Sequence, residues 1–265
     1  MLTACINLNW RDTNFNIEEI MKECSKSIAR RLSDINFTSK YFVGNGVDIG
    51  GKPDPLGLYQ ELFCQMKSVN TWDWEDGDAE IMAGVPDGMY DFVHSSHCLE
   101  HLVNPLEGIK NWVRIVRPGG YLVVTVPDED LYEQGVFPST FNRDHKWTFT
   151  IFKHKSWSSR SINILDLVRD FGEEAELVRL EQLSASYRFE LPRYDQTLTP
   201  VAECGIEFVI RKRSKDEIED CGRWRRPAVQ PEREIRLHLN QHHDDMKAMK
   251  ENNNGHPPFT NDSEI

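Results

Sequence analysis

The chain has 265 residues, 39% of them apolar and 28% charged, which suits either one large domain or one domain plus an appendage, with a sizeable core. A net charge of −12 argues against broad binding to a nucleic-acid backbone, which needs a cationic surface. Six scattered cysteines (Cys5, Cys24, Cys64, Cys98, Cys204, Cys221) lack CxxC or metal-type spacing and point to reduced thiols in a cytoplasmic chain, and no apolar run has signal-peptide or membrane-spanning length.

Residues 1–16 carry no regular pattern. Ile17, Ile20, Met21, Cys24, Ile28 and Leu32 then recur at helical spacing and predict an amphipathic helix over 17–33, either core packing or a cover over a ligand site. A strand is expected at 46–49. A helix follows over 55–66, with Pro55 in its first turn and Leu56, Tyr59, Leu62 and Phe63 on one face. The next strand falls at 68–73, an acidic loop at 74–88 and another strand at 90–95. Asn104 caps a helix over 104–116 that has Pro105 at its first position and Pro118-Gly119-Gly120 as its stop. After a strand at 121–126, residues 127–156 read as a long polar and aromatic insertion, of the kind that is functional or mobile. A helix at 159–171 precedes strands at 175–185 and 203–212, which lack a crossover helix between them and are expected to be antiparallel. Residues 186–202 read as surface loop. Residues 245–265, polar and marked by Asn252-Asn253-Asn254-Gly255 and Pro257-Pro258, are expected to lack ordered structure. The resulting division is a helical segment 1–40, a main domain 41–213 and a C-terminal extension 214–265.

Asp48-Ile49-Gly50-Gly51 closes the first strand, Asp73 ends the second and Gly77-Asp78-Ala79 follows. Asp91-Phe92-Val93-His94-Ser95-Ser96-His97 then leads into Leu99-Glu100-His101-Leu102. A glycine turn after one strand with an acid ending the next is how a doubly wound sheet holds a nucleoside. In order and spacing these motifs resemble the class I S-adenosylmethionine-dependent methyltransferases, of the methyltransferase-11-like kind, over roughly residues 40–212. The resemblance implies a Rossmann-like α/β fold with a seven-stranded sheet, an antiparallel last strand and helices on both faces. It implies S-adenosyl-L-methionine as cofactor, bound by Asp48, Gly50, Gly51, Asp73, Asp78, Ala79, Ser95 and Ser96. Small residues at 50–51 let backbone amides approach the methionine moiety, and a carboxylate at 73 accepts from both ribose hydroxyls. The chain departs from the family at Lys52-Pro53, where a second alternate glycine is expected. Pro53 donates no amide, and Lys52 either reaches the cofactor carboxylate or crowds it. A non-catalytic binding or regulatory protein with a weakened cofactor site is therefore the alternative to an enzyme. A nicotinamide cofactor could use Asp73 too, but G-x-G-x-x-G is absent.

The reaction implied is methyl transfer to a small-molecule or glycan-type acceptor. Methyl transfer needs an aligned nucleophile and, for a hydroxyl or amine, a base. His145, within Phe141-Asn142-Arg143-Asp144-His145-Lys146-Trp147, is the first candidate, and ordering of its own loop is the other reading. Asp128, directly after a strand, is the second candidate, as a base or acceptor-binding group, and a turn cap is its other reading. Trp147, Phe149, Phe152 and Trp157 either line an acceptor pocket or form the insertion's core. His97 and His101 stand at i and i+4, but no set of further metal ligands is apparent, and His242-His243 with Asp244-Asp245 sit in a polar tail. No resident metal is expected. Nothing in the sequence fixes the oligomeric state.

Overall fold

A computed structural model describes residues 23–223 and 233–255. In chain order the elements are α1 (Glu23–Ser33), β1 (Gly44–Ile49), β2 (Met66–Trp72), β3 (Tyr90–Ser96), α2 (Pro105–Ile115), β4 (Val116–Pro127), β5 (Thr148–Thr150), β6 (Ser161–Asn163), α3 (Ile164–Arg169), β7 (Ala175–Leu183), β8 (Gly205–Lys212), α4 (Lys215–Glu219) and α5 (Arg233–Gly255). The chain divides into two compact units, one through Glu219 and one from Asp220.

In the first unit the sheet order is β2-β1-β3-β4-β8-β7. The pairs β1–β2, β1–β3 and β3–β4 are parallel, and β8 runs antiparallel to both β4 and β7. This is the expected α/β architecture with an antiparallel last strand, but the described sheet has six strands where seven were expected. Residues 74–88, expected as an acidic loop, form a run of turns. Successive strand side chains point to opposite faces, and this sheet buries both. Val93, Leu122, Val124, Phe208 and Ile210 meet Ile109, Trp112 and Val113 of α2 and Leu167 and Val168 of α3. Phe92, Val123 and Val209, one residue out of phase, meet Cys24 and Ile28 of α1 with Phe37 and Phe42.

Several element boundaries differ from the sequence reading. The described part of the first helix begins at Glu23, and Ile17, Ile20 and Met21 lie outside the described residues. Its inward face carries Arg31 rather than Leu32, which is 37% exposed. The expected helix at 55–66 is a 3₁₀ segment, Leu56–Leu62, in which Leu56 is buried and Leu62 exposed. Asn104 caps α2 as expected, its Oδ1 accepting from the Glu107 amide at 3.3 Å. The helix ends at Ile115, however, and Pro118-Gly119-Gly120 lies inside β4, next to an irregular register between Tyr90 and Phe92. Within the expected insertion, β5 pairs with β6 beyond it, so α3 starts only after Asn163. In the second unit, residues 245–255 continue α5 instead of lacking structure, and 256–265 lie outside the described residues.

A polar chain crosses the core on the α1 side. The Arg31 guanidinium, fully buried, donates to Glu207 Oε2 from Nη2 and Nε at 2.9 and 3.0 Å and to Thr125 Oγ1 at 3.2 Å. Its Nη1 lies 3.0 Å from His94 Nε2. Because guanidinium only donates, that nitrogen accepts, and the imidazole hydrogen sits on Nδ1, which donates to Asp48 Oδ1 at 2.6 Å. Arg30 adds bonds to Glu207 and Glu203. Burial would raise the Glu207 carboxyl, but Arg31 and Arg30 hold it below the usual range.

Candidate active site

The carboxyl ends of β1, β2 and β3 carry the predicted cofactor motifs, where open α/β sheets place ligands. Gly50 has φ +70°, and a Cβ there would lie 2.7 Å from Cys98 Cβ. At Gly51 a Cβ would lie 2.3 Å from Asp48 Oδ2. Both positions therefore require glycine, and the backbone stays bare toward the hollow. The buried Asp48 shapes this turn, accepting from the Leu56 amide at 2.7 Å as well as from His94.

Three hollows lie in succession. The first, about 330 Å³, is lined by Gly50, Trp72, Asp73, Trp74, Gly77, Asp78, Ala79 and Cys98. Asp73 accepts from the Trp74 amide at 2.8 Å and from the Lys52 amide at 3.2 Å, and Asp78 Oδ1 accepts from the Glu80 amide at 2.8 Å. The second is narrow, about 40 Å³, and shares Gly50 with the first. Asp48, Gly51, Ser96 and His97 form one side, and Glu23 and Cys24 at the start of α1 lie on the other. α1 thus both packs on the core and covers the glycine turn. It is fastened there by Asp54, which accepts from the Ser25 amide at 2.7 Å and from the Tyr59 hydroxyl at 2.6 Å. The Lys52 ammonium is paired with Glu75.

The third hollow, about 310 Å³, shares Glu23 and His97 with the second. Its other walls include His101, Tyr132, Phe141, His145, Asp195 and Leu198. Two loops read as separate in sequence meet here. The Lys146 amide donates to the Glu100 carbonyl at 2.9 Å, which brings His145 against the turn after β3. His145 Nδ1 lies 2.8 Å from Glu133 Oε1, and the His145 ring stands edge-on to His101 with centroids 4.9 Å apart. Burial pushes the Tyr132 phenol up, so it remains a donor. Burial would depress the His97 imidazolium, but Glu23 and Glu100 outweigh it and raise its pKa above the ordinary value. Glu100 is fully buried; burial would raise its carboxyl, but His97, His101 and His145 hold it down at about 2.

Most predicted site residues are thus together: Asp48, Gly50, Gly51, Asp73, Asp78, Ala79 and Ser96 line the first two hollows, and His145 lines the third. Ser95 does not reach them, since its buried hydroxyl donates to the Ile49 carbonyl at 3.0 Å. Asp128 lies outside the lining of the third hollow. Its Oδ1 accepts from the Asp130 and Leu131 amides at 2.9 and 3.1 Å and its Oδ2 from Gln182 at 3.0 Å, the capping role. Of the four aromatics considered for the pocket, Phe149 is core, Trp147 packs against it, and Phe152 and Trp157 are exposed. Tyr132 and Phe141 line the hollow instead, with Asp195, Thr197 and Leu198 from the loop at 186–202.

A parallel sheet with an antiparallel last strand, a bare glycine turn and an acid ending the neighbouring strand define the class of S-adenosylmethionine-dependent methyltransferases. Residues 17–172, more than half of the chain, match the family model of the methyltransferase domain, and the chain belongs to that family. Among curated proteins it is similar to a ubiquinone biosynthesis O-methyltransferase of Acinetobacter baumannii, 28% identical over 122 residues. That match covers 46% of this chain and 40% of the relative. Among solved structures it is similar to a putative methyltransferase from Bacillus halodurans (14% identity, TM-score 0.46, covering 71% of this chain and 99% of that one). It is also similar to the plantazolicin methyltransferase BpumL in complex with SAH (11% identity, TM-score 0.48, covering 75% and 88%). Both scores lie below 0.5, and the family match carries the assignment. No described helix is long and apolar enough to cross a membrane.

Proposed function

We propose that the chain transfers the methyl group of S-adenosylmethionine to a hydroxyl of a small-molecule acceptor held in the histidine-lined hollow. The observation that carries this reading is the shared wall: His97 and Glu23 border both the glycine-turn hollow and the third hollow. A nucleoside between Asp73 and Asp78, with its methionine portion against Gly50-Gly51, points its sulfonium toward that wall. The residues fit such a group, and the part that must yield is the cover made by Glu23 and Cys24 over the narrow second hollow. A hollow of about 310 Å³ sits at the small end of the usual range for ligand sites, which favours a compact acceptor over an extended glycan chain. The O-methyltransferase relatives support oxygen as the accepting atom.

In the metal-free chain, His145 is the group placed to take the acceptor's proton, with Glu133 orienting its ring. The oxygen lone pair forms the new O–CH3 bond, the S–CH3 bond breaks with its electron pair left on sulfur, and S-adenosylhomocysteine results. Isothermal titration of the full chain with S-adenosylmethionine, followed by mass-spectrometric screening of hydroxylated small molecules, tests this. Saturable binding and an acceptor 14 Da heavier are expected. A folded sample that fails to bind the cofactor at millimolar concentration overturns the reading and returns the chain to a binding or regulatory role.

A further inference from the structure

Glu100 is a carboxylate fully withdrawn from water, and neither of its oxygens has a hydrogen-bond partner. A buried charge left in that state is strongly unfavourable unless a cation compensates it. What surrounds it is imidazole. His97 Nδ1 lies 3.4 Å from Oε1, and His145 Nε2 lies 3.9 Å from the same oxygen, both too long or misaligned for hydrogen bonds. Ligand atoms of Glu100, His101 and His145 all fall within 4.8 Å of one another.

The rings are oriented from outside the group. His145 Nδ1 is engaged by Glu133 at 2.8 Å, and His101 Nδ1 by Asp144 at 2.9 Å. Each ring therefore has Nε2 left for another partner, and that of His145 faces Glu100. A carboxylate behind a histidine, fixing its tautomer and ring plane, is the arrangement that supports metal-bound imidazoles. Ligands about 2.1 Å from a tetrahedral ion stand roughly 3.4 Å apart, so a small inward movement of these side chains closes the site.

We propose that Glu100, His101 and His145 bind a divalent first-row transition-metal ion, with Zn²⁺ the best match. Two imidazoles and one carboxylate suit that class, whereas Mg²⁺ and Ca²⁺ favour oxygen ligands throughout. Three protein ligands leave a coordination position open, and His101 and His145 place it on the wall of the third hollow. There the ion holds an acceptor hydroxyl and lowers its pKa, as metal-bound water is lowered to about 7, so that its proton passes to solvent without a side-chain base. Ion binding is independent of methyl transfer; only the ion's role in the reaction rests on the function proposed above.

The test strips the full-length chain with a chelator and titrates Co²⁺ while recording the visible spectrum, then displaces it with Zn²⁺ and counts metal by mass spectrometry. S-adenosylmethionine binding is measured calorimetrically on the same samples. One equivalent of Co²⁺ with d–d bands, displaced by Zn²⁺, is expected. His101→Asn, at a half-exposed position, should lose that uptake while unfolding at the same urea concentration and binding cofactor normally. Glu133→Gln should weaken metal affinity by about 10–100-fold with the cofactor affinity unchanged. A His242→Ala/His243→Ala chain should take up metal as before; loss there assigns uptake to the tail and overturns the proposal. Absence of Co²⁺ bands in the folded wild-type chain, or unchanged uptake by His101→Asn, overturns it as well. Metal uptake without cofactor binding leaves this site standing and removes the methyltransferase reading.

Discussion

At the scale of single residues, the glycine turn and the acid proposed to hold the cofactor were legible because they sit at strand ends that the hydrophobic pattern already marks. Gly50, Gly51 and Asp73 follow directly from that placement, and the structure brings them into adjacent hollows. Glu100 was not legible as a focus of the site. A glutamate in a short polar stretch reads as solvated, and only the return of residues 142–146 against it makes it fully buried. Asp128 was ambiguous for the opposite reason, since its local amides satisfy it without any ligand. Asp73→Asn removes the charge proposed to meet the ribose hydroxyls. Hydrogen bonds to a charged group contribute about 1.5–3 kcal/mol, so calorimetry should show cofactor affinity falling roughly tenfold to a hundredfold at unchanged thermal stability. The thiols give a second check. Burial pushes Cys24, Cys98 and Cys204 up to about 12, while Cys64 and Cys221 are exposed. Iodoacetamide at pH 8 followed by peptide mapping should label Cys64 and Cys221 and spare Cys24, Cys98 and Cys204, because the thiolate is the reacting form.

At the scale of elements, period and punctuation located the strands of the main sheet and α2, although β4 starts earlier than expected, and missed the short β5 and β6. They failed where a tertiary partner decided the outcome. Arg31 breaks the apolar face of α1, and no sequence rule turns an arginine inward. It is buried because Glu207, Thr125 and His94 from three adjacent strands meet it there. Residues 55–66 have a helical stripe, but they are held as a short 3₁₀ segment by the Leu56 amide on Asp48 and by the Phe63 link into β2. The energetic prediction for this layer is Glu207→Gln. It keeps volume and removes the charge facing both Arg30 and Arg31. Breaking a buried pair typically costs about 3–5 kcal/mol, and urea unfolding should show a loss of that size.

At the scale of the whole molecule, the fold class and the order of motifs could be read from sequence, because a doubly wound sheet repeats its pattern along the chain. The third hollow, proposed for the acceptor, could not, because it is assembled from 23, 97–101, 132–145 and 195–198, segments with no common period. Its charges set the chain's response to pH. Glu100 is held at about 2 against about 4.3 when unfolded, so its contribution is complete above about 4.3 and drains away as pH falls toward 2. Glu207, also depressed, acts in the same direction. His97 is raised, so its contribution is complete below about 6.5 and is lost as pH climbs through its folded value. The urea midpoint of the metal-free chain should therefore drop below pH 4 and decline again as pH rises above about 6.5.

One imidazole, that of His97, borders both the compartment proposed for the cofactor and the one proposed for the acceptor. Any shift of that ring on filling one chamber changes the fit of the other, and thermodynamic reciprocity makes the two effects equal in size. Titrating either ligand with and without saturating amounts of its companion should return the same factor in both directions, and Glu23→Gln, which alters the ring's neighbour across the partition, should change both factors together.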